Sequence, residues 1–227
     1  MSRLLSVVLR LRVTLVFCLL TAAGTVTLGQ IGPHDRWHVL HAASTNLHNL
    51  TDGHLATLVT SAFLTEGRPD WWWLASVAIL FAVAEWVSGW RRFLLTFCAG
   101  HLGATALVAV GLFVGIHVDW FADSLAVAVD VGVSYAAAAV AGSLIRYLTM
   151  PWRAVWGALW GALWIAVVAA GAITDPSFTA AGHALALTIG LGLGVFFLRR
   201  DSMPLSRNRI DSTSADRVQP SAQLSTL

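Results

Sequence analysis

The sequence has few charged residues and no lysine, and both absences bear on its class. Only 11% of its 227 residues are charged, 57% are hydrophobic, and the mean hydropathy is +0.71. Soluble domains carry about 25% charged residues. This composition therefore excludes a soluble domain and predicts a polytopic helical membrane protein. Every basic side chain except histidine is an arginine, which is typical of a GC-rich genome, and the net charge of +2 does not suggest a nucleic-acid partner.

Cysteine is also scarce, and potential metal ligands are not grouped in a recognisable motif. Cys18 and Cys98 both lie inside apolar runs, so we expect small buried hydrophobic residues rather than a disulfide framework. His38 and His41 could clamp a metal in a histidine-rich stretch between residues 34 and 54. No cysteine or carboxylate has the spacing that zinc requires, so no metal and no cofactor are expected.

Long apolar runs predict six membrane-spanning helices. Their expected bounds are 11–30, 71–90, 93–116, 124–147, 152–174 and 177–198. Arginines gather before the first span, between the second and third, between the fourth and fifth, and after the sixth, whereas most acidic loop residues fall on the opposite side. The positive-inside rule then places both termini in the cytoplasm of a multi-pass protein in the plasma (cell inner) membrane. A cleaved signal peptide in residues 1–29 fits this charge pattern less well.

Two segments are not simple spans. Residues 31–70 form a long external loop, and within it His54 to Leu64 is amphipathic and too short to cross, so it should lie at the interface or dip into the protein. Residues 201–227 are polar and lack apolar periodicity, which predicts a disordered cytoplasmic tail after a membrane domain of residues 1–200.

Two polar residues stand inside predicted spans at similar depth. His183 lies on the sixth span, where positions 182, 186, 190 and 194 are all glycine or alanine, a spacing that lets a neighbouring helix approach closely. Ser134 lies on the fourth span. An ionisable group in hydrocarbon indicates a functional site, and a serine that meets a histidine between packed helices forms a nucleophile with its base. If the fourth helix starts near Val131, Ser134 lies in its first turn, beside free amides that favour an oxyanion.

These motifs resemble those of the rhomboid intramembrane serine proteases over residues 11–198. Gly132-Val133-Ser134 is similar to the family's serine motif, and Gly182-His183 with Gly190 is similar to its histidine motif. Thr60-Ser61-Ala62-Phe63-Leu64 is similar to the family's Thr-Ser-x-Phe-Leu. Glu85 falls near the acidic residue that ends the family's second span, and we expect it to pair with an arginine at the cytoplasmic end. The resemblance implies a six-helix fold and a Ser134–His183 dyad.

The sequence departs from the family at positions that matter for catalysis. Tyr135 stands where the serine motif has glycine, and Ala186 replaces the first glycine after the histidine. Asp70 and Leu74 stand where the family has a histidine and an asparagine that help to bind the oxyanion. Loss of one oxyanion donor costs about 100- to 1,000-fold in rate, so the oxyanion hole is built differently or the chain is inactive.

Asp130 has three open interpretations. It lies four residues before Ser134, so it could orient His183 in a Ser–His–Asp arrangement. It could instead cap the start of the fourth helix. Alternatively it could pair with His101, a buried histidine in the third span that needs a polar partner.

The leading expectation is a rhomboid-like intramembrane serine peptidase that cleaves membrane-anchored protein substrates through Ser134 and His183. The alternative is a catalytically inactive rhomboid-like protein that binds or escorts other membrane proteins. In both cases the partners are membrane proteins and the lipid bilayer, and the sequence leaves the oligomeric state open.

Overall fold

A computed structural model describes residues 3–66, 70–173 and 178–202. In these ranges the secondary structure is helical, and no strand occurs. The α-helices are α1 (Arg3–Arg10), α2 (Arg12–Gln30), α3 (Pro33–Ala43), α4 (Leu47–Thr51), α5 (Thr57–Thr60), α6 (Trp71–Ser88), α7 (Trp90–His117), α8 (Ser134–Ser143), α9 (Trp152–Ile173) and α10 (Phe178–Ser202). Short 3₁₀ turns cover Ser61–Phe63, Asp123–Val127 and Leu144–Tyr147.

Four helices within the described ranges are long and apolar enough to cross a membrane: α2, α6, α7 and α10. The chain is therefore a multi-pass helical membrane protein, as its composition predicts. The 22 residues of α9 cover the predicted fifth span. Helix α10, the predicted sixth span, continues to Ser202, two residues into the predicted tail. The rest of that tail lies outside the described residues.

The predicted fourth span is not one continuous helix. Its helix α8 has ten residues and is about 15 Å long, half the thickness of a hydrocarbon core. The helix cannot extend further toward its N-terminus because Gly132 has a φ of 118°, which a right-handed helix does not allow. The Gly132 amide also donates to the Ser61 carbonyl oxygen at 2.8 Å, which ties this loop to the 31–70 segment.

Small residues let α8 pack closely against two neighbours. A Cβ atom at Gly190 would overlap the backbone of Ala139, and one at Gly194 would come within 2.7 Å of the Ser143 carbonyl oxygen. A Cβ atom at Gly100 of α7 would overlap the Ala139 side chain from another side. The small-residue face predicted on the sixth span is therefore the surface that contacts α8.

The end of the bundle that carries Arg92, here called the Arg92 end, is held by two kinds of polar contact. Asp201 of α10 pairs with Arg92 at 2.6 Å and with Arg146 at 2.5 Å, which joins three elements. Glu85 is fully buried and accepts the amides of Val13 and Thr14 at 3.1 and 2.8 Å. The predicted pairing of Glu85 with an arginine is thus wrong, because its carboxylate caps the start of α2 instead.

Candidate active site

Ser134 is the first residue of α8 and is half-buried. The first hydrogen bond into the helix runs from the Ala137 amide to the Val133 carbonyl oxygen at 2.9 Å. The amides of Ser134, Tyr135 and Ala136 therefore have no partner within the helix. The positive end of the helix dipole adds to their field at the serine. The sequence predicts Ser134 in the first turn of a helix that starts near Val131, and the helix starts at Ser134 itself.

The loop before Ser134 is fixed by the 31–70 segment. The Asp130 amide donates to the Ser44 hydroxyl at 2.8 Å. The Asp130 carbonyl oxygen accepts the amide and the hydroxyl of Thr45 at 3.0 and 2.9 Å. Together with the bond from Gly132 to Ser61, these contacts set the position of Ser134. Ser44 and Thr45 are more than 80 residues away from Asp130 in the sequence.

Ser134 opens into a cavity of about 220 Å³ at its end of the bundle, here called the polar cavity. Its lining residues are Thr65, Glu66, Asp70, Trp73, Leu74, Val131, Gly132 and Ser134. Asp70 and Leu74 thus line the same cavity as Ser134. These are the two positions at which the sequence departs from the oxyanion-binding pattern. Asp70 also caps α6 by accepting the Trp73 amide at 3.0 Å.

His183 contacts Tyr135 rather than Ser134. The rings of Tyr135 and His183 meet edge to face with centroids 5.2 Å apart. The tyrosine ring also lies directly over Gly182, where a Cβ atom would overlap it. The His183 imidazole also lies beside the backbone of Thr179, one turn earlier on α10. Within the described ranges no hydrogen bond joins Ser134 to His183.

Asp130 forms none of the three contacts expected of it. The start of α8 has no side-chain cap, so the capping interpretation is wrong. The carboxyl group is largely buried in the loop between α7 and α8, outside the membrane-spanning helices, and burial raises its pKa to about 6. It faces the Tyr135 hydroxyl, but not at the geometry of a formed hydrogen bond.

His101 finds its partners in the 54–64 stretch. Its Nε2 atom lies 3.0 Å from the Leu58 carbonyl oxygen and 3.3 Å from the Ser61 hydroxyl. Since Leu58 offers only an acceptor, Nε2 carries the proton, and His101 cannot act as a base toward Ser61 through that atom. The amphipathic stretch therefore dips into the protein, one of the two placements predicted for it, and it supplies the polar partner that His101 requires.

Metal ligands do not gather at this site. Among the described residues no group of three or more histidine, cysteine, aspartate or glutamate side chains could hold a metal ion. His34 and His38 of α3 approach each other, with their Nε2 atoms 3.2 Å apart, whereas His41 bonds the Trp37 carbonyl oxygen.

Sequence reasoning missed two residues of the site. Glu66 lines the polar cavity, and Tyr135 fills the space between α8 and His183. The sequence did offer an indication for Tyr135. An aromatic ring at a position where the family has glycine must take up space beside the facing helix.

Comparison with known proteins identifies the family of the chain. A family model described as rhomboid-like protein matches residues 8–203, which is most of the chain. No curated protein and no solved structure matches.

Proposed function

Because the chain belongs to the family of rhomboid-like proteins, we propose that it binds other membrane proteins on this scaffold without hydrolysing them. The observation that carries the proposal is the chemistry around Ser134. The serine shares its cavity with Glu66 and Asp70, and His183 packs against Tyr135.

The two carboxylates oppose acyl transfer. Attack by a serine creates negative charge on an oxygen beside the nucleophile, and catalysis depends on donors aimed at that oxygen. Carboxylates in the same cavity repel this charge, and the repulsion grows where water is excluded. The free amides at the start of α8 would stabilise this negative charge, but Asp70 and Leu74 offer no additional side-chain donor.

The position of His183 is a second argument. A general base must come within about 2.6–3.2 Å of the proton that it removes. The ring of Tyr135 contacts the imidazole edge to face. The imidazole is therefore packed against an aromatic ring and, within the described ranges, has no hydrogen bond to the Ser134 hydroxyl.

The second candidate function is an intramembrane serine peptidase that cleaves membrane-anchored proteins. The placement of Ser134 favours it, because the first turn of a helix supplies amides for an oxyanion. In that case Ser134 attacks the peptide carbonyl, and His183 takes the proton and returns it to the leaving amine.

The proposed topology is common to both functions. Six spans place both termini in the cytoplasm of the plasma membrane, and the Ser134 end faces outward. Arginines flank the Arg92 end of the described helices, which supports this orientation.

A fluorophosphonate probe distinguishes the two functions. We expect equal background labelling of the purified wild type, Ser134→Ala and His183→Ala, each confirmed as folded by thermal unfolding. Labelling of the wild type that disappears in both variants would overturn the proposal and establish the peptidase.

Photocrosslinking in membranes tests the binding half of the proposal. A photoreactive amino acid at Trp72, which is 88% exposed and precedes Trp73 of the polar cavity in the first turn of α6, should give discrete protein adducts. The matched control is Leu159 of α9, which is 62% exposed. Equal adduct patterns from the two positions, or none from Trp72, would contradict a specific binding surface at the Ser134 end.

A further inference from the structure

We propose that the Arg92 end binds the phosphate group of one anionic phospholipid, such as phosphatidylglycerol, through three exposed arginines. Arg10, Arg12 and Arg91 form this group, here called the arginine cluster. The proposal goes beyond the proposed function and does not depend on it.

Two half-exposed tryptophan rings hold the arginine cluster in place. The guanidinium carbon of Arg10 lies 4.0 Å from the centre of the Trp86 ring, and its Nη2 atom donates to the Trp86 carbonyl oxygen at 3.0 Å. The guanidinium carbons of Arg12 and Arg91 lie 4.4 and 5.3 Å from the centre of the Trp90 ring. Trp86 lies in the last turn of α6 and Trp90 begins α7, so the three arginines meet at the junction of these helices.

The arginine cluster has a net positive charge. Among the described residues no carboxylate pairs with it, because Asp201 pairs with Arg92 and Arg146 instead. The buried carboxylate of Glu85 accepts the first amides of α2 and offsets only part of the charge. The sequence after Ser202 holds three arginines and two aspartates, so its side chains bring no net negative charge. Like charges at one place repel, and an anion between them lowers the energy.

The guanidinium groups keep donors for a phosphate. A guanidinium over an aromatic ring interacts through its face, which leaves the N–H groups at its edge. Within the described part of the chain, the side chains of Arg12 and Arg91 make no hydrogen bond, and that of Arg10 makes one. Guanidinium groups bind phosphate oxygens with two parallel hydrogen bonds, so these donors suit a phosphate ligand.

The arginine cluster lies at the depth of lipid phosphates. Arg12 is the first residue of α2, and Arg91 is the second residue of α7. Both helices, and α6 between them in the sequence, are long and apolar enough to cross a membrane. Tryptophan side chains such as Trp86 and Trp90 are enriched where such helices leave the hydrocarbon. The cluster therefore stands at the level of the headgroups.

Helix α1 supplies an apolar surface beside the arginine cluster. Its eight residues span about 12 Å, too little to cross a membrane. Arginines stand at both of its ends, and all of its large apolar side chains are exposed: Leu4, Leu5, Val7, Val8 and Leu9. A basic helix of this kind lies in the membrane interface. Because α1 ends at Arg10, acyl chains can pack on it while the phosphate binds the cluster, which favours a lipid over a free phosphate.

Native mass spectrometry of the full chain tests the proposal. Protein in detergent is mixed with phosphatidylglycerol or with phosphatidylcholine of the same acyl chains. We expect phosphatidylglycerol to be retained about tenfold more than phosphatidylcholine, since each arginine near an anionic lipid strengthens binding about fivefold. Equal retention of the two lipids would overturn the proposal. A Tm that inorganic phosphate raises as much as phosphatidylglycerol does would also overturn it, in favour of a soluble ligand.

Two triple variants separate a defined site from general attraction to a basic surface. The first removes the cluster: Arg10→Gln, Arg12→Gln and Arg91→Gln. The second removes the same charge from exposed arginines of α1 and α10: Arg3→Gln, Arg199→Gln and Arg200→Gln. We expect the first to abolish the preference for phosphatidylglycerol and the second to keep most of it. Equal losses would show a diffuse attraction and contradict the site.

A second set of variants keeps the positive charge that orients the spans. Arg12→Lys combined with Arg91→Lys loses the paired donors and the stacking on Trp90, so it should weaken retention several-fold without loss of folding. Trp90→Leu should weaken it in the same way, whereas Trp152→Leu, at an exposed start of another helix, is the control. Retention that is unchanged in both the lysine variant and Trp90→Leu would contradict the described geometry.

The acidic residues after Ser202 provide the last control. Asp211→Asn combined with Asp216→Asn should leave the retention of phosphatidylglycerol unchanged. A clear gain of retention in this variant would overturn the proposal, because it would assign the arginine cluster to the chain's own carboxylates.

Discussion

The Tyr135 ring meets the His183 imidazole at an angle of 78°, with the ring centroids 5.2 Å apart. This contact occupies the space between the start of α8 and the facing turn of α10. The sequence resembles a serine peptidase at Ser134 and His183, yet the imidazole contacts the Tyr135 ring and, within the described ranges, has no hydrogen bond to the Ser134 hydroxyl.

The Tyr135 hydroxyl is expected to contribute nothing favourable to stability. It is buried without a hydrogen-bond partner, so Tyr135→Phe should raise the free energy of unfolding by about 1 kcal/mol. Tyr135→Ala removes the whole ring and should lower it by about 3–5 kcal/mol. Thermal unfolding in detergent measures both. A clear loss of stability in Tyr135→Phe would instead show that the hydroxyl bonds Asp130.

Close packing of α8 on α10 makes Gly190 intolerant of any side chain. A Cβ atom there would overlap the Ala139 backbone, which cannot turn away as a flexible side chain does. Gly190→Ala should therefore cost at least about 1–3 kcal/mol. Gly192 of the same helix has nothing within 4 Å, and Gly192→Ala should be stabilising by up to about 1 kcal/mol. Equal Tm shifts of the two variants would contradict the described packing.

Removal of the Glu85 charge should loosen the start of α2. Its carboxylate accepts two backbone amides, and hydrogen bonds to a charged group contribute about 1.5–3 kcal/mol. We expect a loss of that size in Glu85→Gln, which keeps one acceptor oxygen, and a greater loss in Glu85→Ala. Asp123→Asn, at an exposed position, is the control for charge removal. Unchanged Tm in Glu85→Ala would refute the cap.

Asp130 should make stability depend on pH. Burial raises its pKa from 3.8 to about 6, so between these values the folded state binds a proton that the unfolded state has released. Stability therefore falls as pH rises from about 4 to about 6 and stays level above that range. Asp130→Asn should flatten this part of the profile and add up to about 3 kcal/mol at pH 7.

The measurement is the Tm from pH 4 to pH 8 for wild type, Asp130→Asn and Asp123→Asn. Asp123 is an exposed carboxylate, so its substitution should keep the wild-type profile. An unchanged slope in Asp130→Asn would assign the dependence to another group.

The helix bounds were predictable wherever an apolar run ends at glycine, proline or arginine. The sequence predicts spans at 11–30 and 152–174, and the structure has helices at Arg12–Gln30 and Trp152–Ile173. The fourth span was mispredicted because apolar composition continues from 124 to 147 across the non-helical loop. That loop is fixed by Ser44 and Ser61, and contacts so distant in sequence leave no local periodicity.

The candidate site was predictable in position but not in its contacts. Ser134, Asp70 and Leu74 do line one cavity, as the resemblance implies. The partners of His101 and Asp130 could not be predicted, because both depend on how the 31–70 segment folds back onto the bundle. The burial of Glu85 beneath the start of α2 could not be predicted either, because its partners are backbone amides.

The cap on α2 also bears on how the chain is made. Thr14 and Glu85 are 71 residues apart, so the ribosome must synthesise the first long helix well before its capping group exists. Until α6 arrives, the leading amides of α2 have no side-chain partner and depend on water at the membrane interface. We therefore expect a nascent chain that stops at residue 70 to hold α2 loosely in the bilayer, and one that reaches residue 90 to resist extraction.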